Sequence, residues 1–243
     1  MRLRRASGIL AVLALAVSTV GADDFWVKKD WKQWTTADCK KLLESSPWTL
    51  RKLVENESNV NRLPSAANGA NADTAMNKDA GEVNYIVQVR SATPIRHALI
   101  REQQIEKQYD KMTDAGKKEF DEQMNQLYSD RNDVIILHVK YSGTREQLAV
   151  DISKSWKSIP ADTVPAEMNL IASNGSKATP IFFSADPDGG DGFLLTYPRS
   201  MLGEGFKSFK LQIPHPALGD FGASKVYVEF KLDKMTFEGK PSF

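Results

Sequence analysis

Hydrophobic periodicity divides the middle of the chain into strand, helix, helix and strand. The apolar side chains of residues 82–91 fall at every second position: Val83, Tyr85, Val87 and Val89. This period of two predicts a half-buried strand. Residues 133–142 are more continuously apolar and rich in β-branched side chains, which indicates a more deeply buried strand. We expect the rest of the fold to be organised around this pair.

Two amphipathic helices are predicted between those strands. Pro94 stands where the first helix begins, a position that tolerates a missing backbone N–H. Thr113 is placed to cap the second helix, at about residues 114–128. Because the link is short, residues 94–128 are predicted to form an antiparallel helical hairpin. Its charges are mixed in sign, which is typical of a solvated face.

The chain returns to a period of two after Pro165. Asn174-Gly175 is a strong signal for a tight hairpin. The strands predicted in this β-rich part, residues 164–237, are 167–172, 179–184, 193–197, 208–213 and 225–232, with a short extension at 235–237. A helix to about residue 158 precedes them, with Thr144 and Gln147 as its predicted capping box.

These elements predict an α+β fold. Its centre is an antiparallel β-sandwich-like domain of about seven strands, residues 82–243, with the helical hairpin inserted between the first two strands. A short helix at residues 36–45, capped by Thr35, precedes this domain within a tryptophan-rich helical segment, residues 23–55. Residues 56–81 have almost no large apolar side chain and are predicted to be a flexible linker.

The first 22 residues have the three-part pattern of a secretory signal peptide. Three arginines (Arg2, Arg4 and Arg5) precede an apolar run at residues 8–20, and small residues precede Asp23. The run is short for a membrane helix. We therefore expect export to the periplasm or the extracellular space, with no membrane span after signal cleavage.

The charge balance and the cysteine content limit the partners and the source of stability. Removing the first 22 residues leaves 29 basic and 31 acidic side chains, a net charge of −2, which argues against nucleic acid. Cys39 is the single cysteine, so an internal disulfide framework is excluded. The hydrophobic core must supply the stability, and the sequence leaves the oligomeric state open.

Four of the five tryptophans lie in residues 23–55: Trp26, Trp31, Trp34 and Trp48. One interpretation is an aromatic docking surface for an envelope protein or polymer. The other is that the segment packs onto the main domain through these large side chains, and we favour it because buried aromatic area contributes strongly to stability.

An Asp/Gly cluster is a candidate calcium site. Asp186, Asp188 and Asp191 supply carboxylates of the kind that Ca²⁺ binds. The EF-hand order fails, because the alternation breaks at Gly190 and the twelfth position is Tyr197. A turn that uses Asp and Gly for its backbone conformation explains the same residues.

No motif in the sequence assigns a catalytic site or a cofactor. His97, His138 and His215 are isolated and lack zinc-ligand spacing. A nucleophile elbow, a Walker loop and a dinucleotide fingerprint are absent from the sequence. We predict no cofactor and lean away from an enzyme. A hydrolase of envelope polymers that uses the Asp cluster or His215 is the alternative, and a calcium-stabilised envelope module is another.

Several stretches resemble a known group of proteins. They are Trp34-Thr35-x-x-Asp38, Lys41-Leu42-Leu43, Ser46-Pro47-Trp48, Val87-x-x-x-x-Ala92-x-Pro94-Ile95-Arg96-x-Ala98-Leu99, Lys111-Met112, Lys118-x-Phe120-Asp121, and Val228-x-Phe230-x-Leu232-x-Lys234-Met235-x-Phe237-x-Gly239-Lys240. The chain resembles an uncharacterised family of exported bacterial proteins with no assigned activity. The resemblance implies a bacterial host and a periplasmic or cell-surface location, and it offers no catalytic residues. We expect a non-enzymatic binding or structural module of the cell envelope.

Overall fold

The helices are short and lie near the N-terminus and in the middle of the chain. A computed structural model describes residues 25–55, 81–160, 163, 167–185, 190–218 and 224–243. The helices within these ranges are α1 (Phe25–Lys28), α2 (Thr36–Glu44), α3 (Thr93–Glu106), α4 (Asp114–Tyr128) and α5 (Glu146–Lys157). Short 3₁₀ turns occur at Trp31–Gln33, Tyr109–Lys111 and Arg199–Leu202. The predicted signal peptide, and the predicted linker apart from Gly81, lie outside the described residues.

The strands form antiparallel sheets. They are β1 (Thr49–Glu55), β2 (Glu82–Val89), β3 (Val134–Gly143), β4 (Asn169–Ala172), β5 (Lys177–Ala178), β6 (Phe182–Ala185), β7 (Gly192–Pro198), β8 (Ser208–His215), β9 (Ser224–Lys231), β10 (Thr236–Phe237) and β11 (Lys240–Pro241). Five strands pair in the order β1-β2-β3-β7-β6 and four in the order β5-β4-β8-β9, while β10 pairs with β11. All these pairings are antiparallel.

The two larger sheets share one hydrophobic core. Alternate side chains of β2 are buried, as the sequence pattern predicts, and they pair with buried residues of β3: Tyr85 lies opposite Tyr141, and Val87 opposite Val139. The inward residues of β8 belong to the same apolar cluster. The Tyr85 hydroxyl lies 2.8 Å from Nδ1 of His215 and joins the two sheets. The predicted α+β fold with a sandwich-like β core is confirmed.

The two central helices lie where the sequence places them. α3 and α4 separate β2 from β3, and Thr113 caps α4 by accepting a hydrogen bond from the Gly116 amide at 3.2 Å. Their 3₁₀ link brings the rings of Tyr109 and Phe120 to a centroid distance of 5.2 Å. Within the described ranges, no helix combines the length and the apolar character needed to cross a bilayer.

The assignment of residues 49–55 to the helical N-terminal segment is wrong, because these residues form strand β1. β1 pairs along its length with β2, from Thr49 opposite Gln88 to Glu55 opposite Glu82. It is an edge strand whose Arg51 and Lys52 are exposed, and therefore the strict apolar alternation that identifies a half-buried strand is absent.

The prediction of a strand at residues 179–184 that pairs in the Asn174-Gly175 hairpin is also wrong. Gly175 turns the chain with a positive φ of 89°, and the hairpin closes between β4 and β5 as expected. However, β5 ends at Ala178, and residues 182–185 form β6 in the other sheet. The chain changes sheets at Thr179-Pro180, because proline has no backbone N–H to continue the ladder.

The prediction that Thr144 and Gln147 cap α5 is wrong as well. Arg145 is the N-cap residue and makes no side-chain cap bond. The Thr144 hydroxyl instead accepts a hydrogen bond from the Glu82 amide at 2.8 Å, which ties the end of β3 to the start of β2. A side-chain hydroxyl next to a helix start can therefore serve a neighbouring strand instead of the helix.

Gly143 allows α5 to approach β3 closely. A Cβ at this position would lie 2.5 Å from the Ala149 nitrogen and 2.8 Å from the Leu148 carbonyl carbon, both backbone atoms. We expect Gly143→Ala to lower the free energy of unfolding by about 1–3 kcal/mol, since the helix must shift. Urea unfolding would measure this. Gly116→Ala in α4 is the matched control: its neighbours lie at 3.4 Å or more, so no loss is expected, and the higher helix propensity of alanine favours a gain of up to about 1 kcal/mol. Equal effects of the two substitutions would contradict the prediction.

Candidate functional site

The structure separates the four N-terminal tryptophans into two groups. Trp26, Trp34 and Trp48 are 5%, 1% and 0% exposed and belong to the core. Their burial matches the packing interpretation. Trp31 is the member of the four that keeps a partly exposed side chain. Of the four tryptophans predicted as docking residues, Trp31 is therefore the one whose side chain a partner can reach.

Local contacts fix the position of Trp31. Asp30 begins the 3₁₀ turn at Trp31–Gln33, and its carboxylate accepts a hydrogen bond from the Lys32 amide at 2.9 Å. Arg101 of α3 donates from Nε to the Trp34 carbonyl oxygen at 3.1 Å and holds the turn against α3. The Trp31 ring stacks on His97 with centroids 4.5 Å apart and planes inclined by 20°. Trp31 is thus held in place by its backbone and by one ring face.

His97 is an uncharged support for this stack. Burial, reinforced by the neighbouring Arg96 charge, lowers the pKa of His97 to about 4. The imidazole is therefore neutral near pH 7. Its Nδ1 is buried and has no hydrogen-bond partner among the described residues.

Trp31 and His97 stand at one side of a groove of about 610 Å³ between the 3₁₀ turn, α3 and α4. We call it the interhelical groove. Its lining includes Trp31, Lys32, Arg96, His97, Arg101 and Gln104 from the 3₁₀ turn and α3, and Tyr109, Asp110, Asp121, Asn125, Tyr128 and Asp130 from the 3₁₀ link, α4 and the residues after it. The volume is in the range of small-ligand sites, about 300–1,000 Å³.

The polar groups of the groove are held by one another. The Tyr109 hydroxyl donates to Oδ2 of Asp121 at 2.9 Å. Arg96 pairs through Nη2 with Oδ1 of Asp130 at 2.9 Å, and its Nη1 donates to the Tyr128 carbonyl oxygen at 3.1 Å. These bonds limit the side-chain freedom that would otherwise be lost on binding.

The groove contains as many positive as negative groups. Its cations are Lys32, Arg96 and Arg101, and its carboxylates are Asp110, Asp121 and Asp130. The amides of Gln104 and Asn125 add both donors and acceptors. The lining is therefore electrically balanced and rich in hydrogen-bonding groups.

Trp31 is recognisable from the sequence, but its partners in the groove are not. His97, Arg101 and Gln104 lie at i, i+4 and i+7 on α3, which places them on one face of the helix. Asp121, Asn125 and Tyr128 have the same spacing on α4. Each stripe mixes charged or amide groups with an aromatic ring, and this pattern is the sequence signal from which a polar groove between the helices could have been predicted. The apolar periodicity drew attention to other positions.

The candidate calcium residues are only partly described. Asp186 and Asp188 lie outside the described residues. The Asp191 carboxylate accepts hydrogen bonds from the Ser153 hydroxyl at 2.9 Å and from the Lys157 ammonium at 3.2 Å, which links the start of β7 to α5. In the part of the chain that the structure describes, no three His, Cys, Asp or Glu side chains are grouped to hold a metal ion.

The remaining titratable candidates, His138, His215 and Cys39, lie on different elements: β3, β8 and α2. Nδ1 of His138, on β3, lies 2.9 Å from the guanidinium of Arg90, which directly follows β2. His215 contacts Tyr85 between the sheets. Cys39 is fully buried, and burial raises the pKa of its thiol to about 11, so the unreactive protonated form predominates.

Comparisons with known proteins leave the family open. A search of protein-family profiles finds no match, and no curated protein matches. Among solved structures, the chain aligns with the crystal structure of a DUF4426 family protein from Pseudomonas aeruginosa PAO1 at 10% sequence identity. The alignment covers 62% of this chain and 86% of that one, with a TM-score of 0.30.

Proposed function

We propose that the chain is an exported, non-enzymatic binding module of the bacterial cell envelope, and that the interhelical groove is its binding site. The signal-peptide pattern of residues 1–22 and the resemblance to exported bacterial proteins support the location. The observation that carries the binding role is the partly exposed Trp31 ring, fixed by His97 beside the groove. Large, rigid aromatic side chains are frequent anchors of recognition sites.

The groove favours binding over turnover because its titratable groups are poorly suited to catalysis. A general base works best with a pKa near the working pH, whereas the pKa of His97 is about 4. Asp121 accepts a hydrogen bond from Tyr109, and Asp130 is paired with Arg96. A fixed set of paired groups beside an aromatic ring is what a recognition site needs.

The location is tested by expressing the full chain in a Gram-negative laboratory strain and fractionating the cells. We expect a processed protein, shortened by about 22 residues, in the periplasm or the medium. Mass determination of the N-terminus measures the cleavage. Unprocessed protein in the cytoplasm would contradict the proposed export.

The binding role is tested by sedimenting the processed protein with isolated cell-envelope particles. Trp31→Ala should reduce the bound fraction at least about fivefold, since it removes the anchor, and a loss of about 1 kcal/mol or more is usual for such a residue. Tyr227→Ala is the matched control, because Tyr227 is an exposed aromatic residue on β9 in the other sheet. Equal binding of wild type and Trp31→Ala would contradict the site. Release of soluble fragments from the particles would favour the hydrolase alternative.

A further inference from the structure

We infer that the interhelical groove recognises a neutral, polyhydroxylated saccharide chain. This inference rests on the proposed function and specifies its ligand. Three features of the groove support it: its charge balance, its aromatic ring, and the hydrogen-bonding capacity that its internal bonds leave unused.

The charge balance disfavours a strongly charged ligand. A polyanion needs an excess of positive groups and a polycation an excess of negative ones, because charged partners are matched by complementary potentials. Three cations and three carboxylates line this groove. An uncharged ligand meets no net repulsion there and needs no compensating charge.

The Trp31 ring suits the apolar face of a sugar. A pyranose ring has C–H groups on its faces and hydroxyls around its edge, so it can lie flat on an aromatic surface while its edge is solvated by polar side chains. One face of Trp31 is covered by the neutral His97 ring, and the ammonium of the exposed Lys32 lies 5.9 Å from the Trp31 ring centroid. Lys32 has a long, exposed side chain that can move aside, so a sugar face can pack on the ring while the ammonium donates to the hydroxyls at its edge.

The polar side chains retain capacity for hydroxyl groups, which both donate and accept. A carboxylate offers about four lone-pair sites, and the Asp121 carboxylate is engaged by the Tyr109 hydroxyl. Arg101 uses Nε for the Trp34 carbonyl and Nη1 for Gln104, out of five N–H donors.

A peptide fits the groove less well. Peptides are commonly bound by pairing with a strand edge or by laying an apolar helix face into an apolar groove. The walls here are helices and a 3₁₀ turn, so they present no strand edge. Most of the lining groups are polar: its aliphatic side chains are Ile100 and Met124, and Met124 is almost fully buried.

The test is a titration of the processed protein with chitotetraose, cellotetraose and maltotetraose as neutral probes. Tetragalacturonate serves as the anionic probe, and acetylated tetra-alanine amide as the peptide probe. Calorimetry measures affinity, and the part of the change in tryptophan emission that Trp31→Phe abolishes reports on the Trp31 environment, because the chain has four other tryptophans. We expect at least one neutral oligosaccharide to bind. Raising the salt from about 0.05 to about 0.5 M should change this affinity less than about twofold, since an uncharged ligand is not screened.

Variants place the binding in the groove. Trp31→Ala should weaken the affinity for the neutral oligosaccharide about tenfold or more, whereas Trp31→Phe, which keeps an aromatic ring, should lose less than about threefold. Asp121→Asn tests the acceptor without changing the volume, and Tyr227→Ala should have no effect. Thermal unfolding checks that each variant is folded.

The outcomes separate the ligand class from the proposed function. Salt-sensitive binding of tetragalacturonate alone, or preferential binding of the peptide, would overturn the neutral-saccharide inference. If no oligosaccharide binds at millimolar concentration but Trp31→Ala still abolishes sedimentation with envelope particles, the inference fails and the proposed function stands. If no oligosaccharide binds and sedimentation is unchanged by Trp31→Ala, both fail.

Discussion

Replacing Trp48 by alanine is expected to lower the free energy of unfolding by about 3–5 kcal/mol, the usual cost of removing a large aromatic side chain from a core. Trp48 is fully buried. Its ring packs edge-to-face on Trp26 at a centroid distance of 5.6 Å. Its Nε1–H donates to the Ser242 carbonyl oxygen at 2.7 Å. The substitution removes the ring and leaves the Ser242 carbonyl without this donor.

Thermal and urea unfolding of the processed protein measure this effect. Each kcal/mol shifts the melting temperature by roughly 2–4 °C in a domain of this size, so a decrease of about 6–20 °C is expected. Trp31→Ala is the control within the same segment and should cost only about 1 kcal/mol, because its side chain is partly exposed. If the two substitutions destabilise the protein equally, Trp48 does not anchor the segment.

Trp48 contributes this much to the free energy of unfolding because it connects two distant parts of the chain. Ser242 lies 194 residues away in sequence, and its hydroxyl also accepts a hydrogen bond from the Thr93 amide at 2.9 Å, where α3 begins. The N-terminal segment is therefore fixed to both the C-terminal hairpin and the helical insertion. Such contacts between distant segments cannot be read from local periodicity, although the burial of an aromatic residue can be expected.

The part of the fold that could be predicted is the part where one side of an element faces the core. The alternation in β2 identified its buried face, and the Asn174-Gly175 pair identified a hairpin, because both signals are local. The edge strand β1 and the switch between β5 and β6 were missed, because each depends on which sheet a short segment joins. That choice is made by tertiary packing and is invisible to a window of a few residues.

The candidate site was less predictable than the fold for a related reason. A groove forms where two helices and a turn meet, and its residues come from three separate stretches of sequence. Trp31 was recognisable as a large aromatic residue, but Trp34 and Trp48 looked the same in the sequence and lie in the core. Exposure, which decides between docking and packing, is a property of the assembled structure.

Lowering the pH from about 7 to about 4.5 is expected to destabilise the protein by roughly 3–5 kcal/mol through His97 and His215. Burial lowers the pKa of both side chains to about 4 from the ordinary value of 6.5. Between these values the unfolded chain binds more protons than the folded one, so stability falls as the pH decreases through this window. One pKa unit corresponds to 1.36 kcal/mol, which gives about 2–3 kcal/mol for the buried His215 and less for the partly exposed His97.

Two substitutions assign this pH dependence to the histidines. His97→Phe keeps a ring beneath Trp31, and His215→Asn keeps a polar group near the Tyr85 hydroxyl, yet neither new side chain titrates. Urea unfolding at intervals between pH 4.5 and 7.5 should show a shallower slope in each variant and a nearly flat profile in the double variant. Glu102 acts in the opposite direction, because burial raises the pKa of its carboxyl group, and it should remain as a weak residual slope. A double variant with the wild-type slope would show that other groups carry the acid sensitivity, and the two imidazoles would then not be buried in their neutral form.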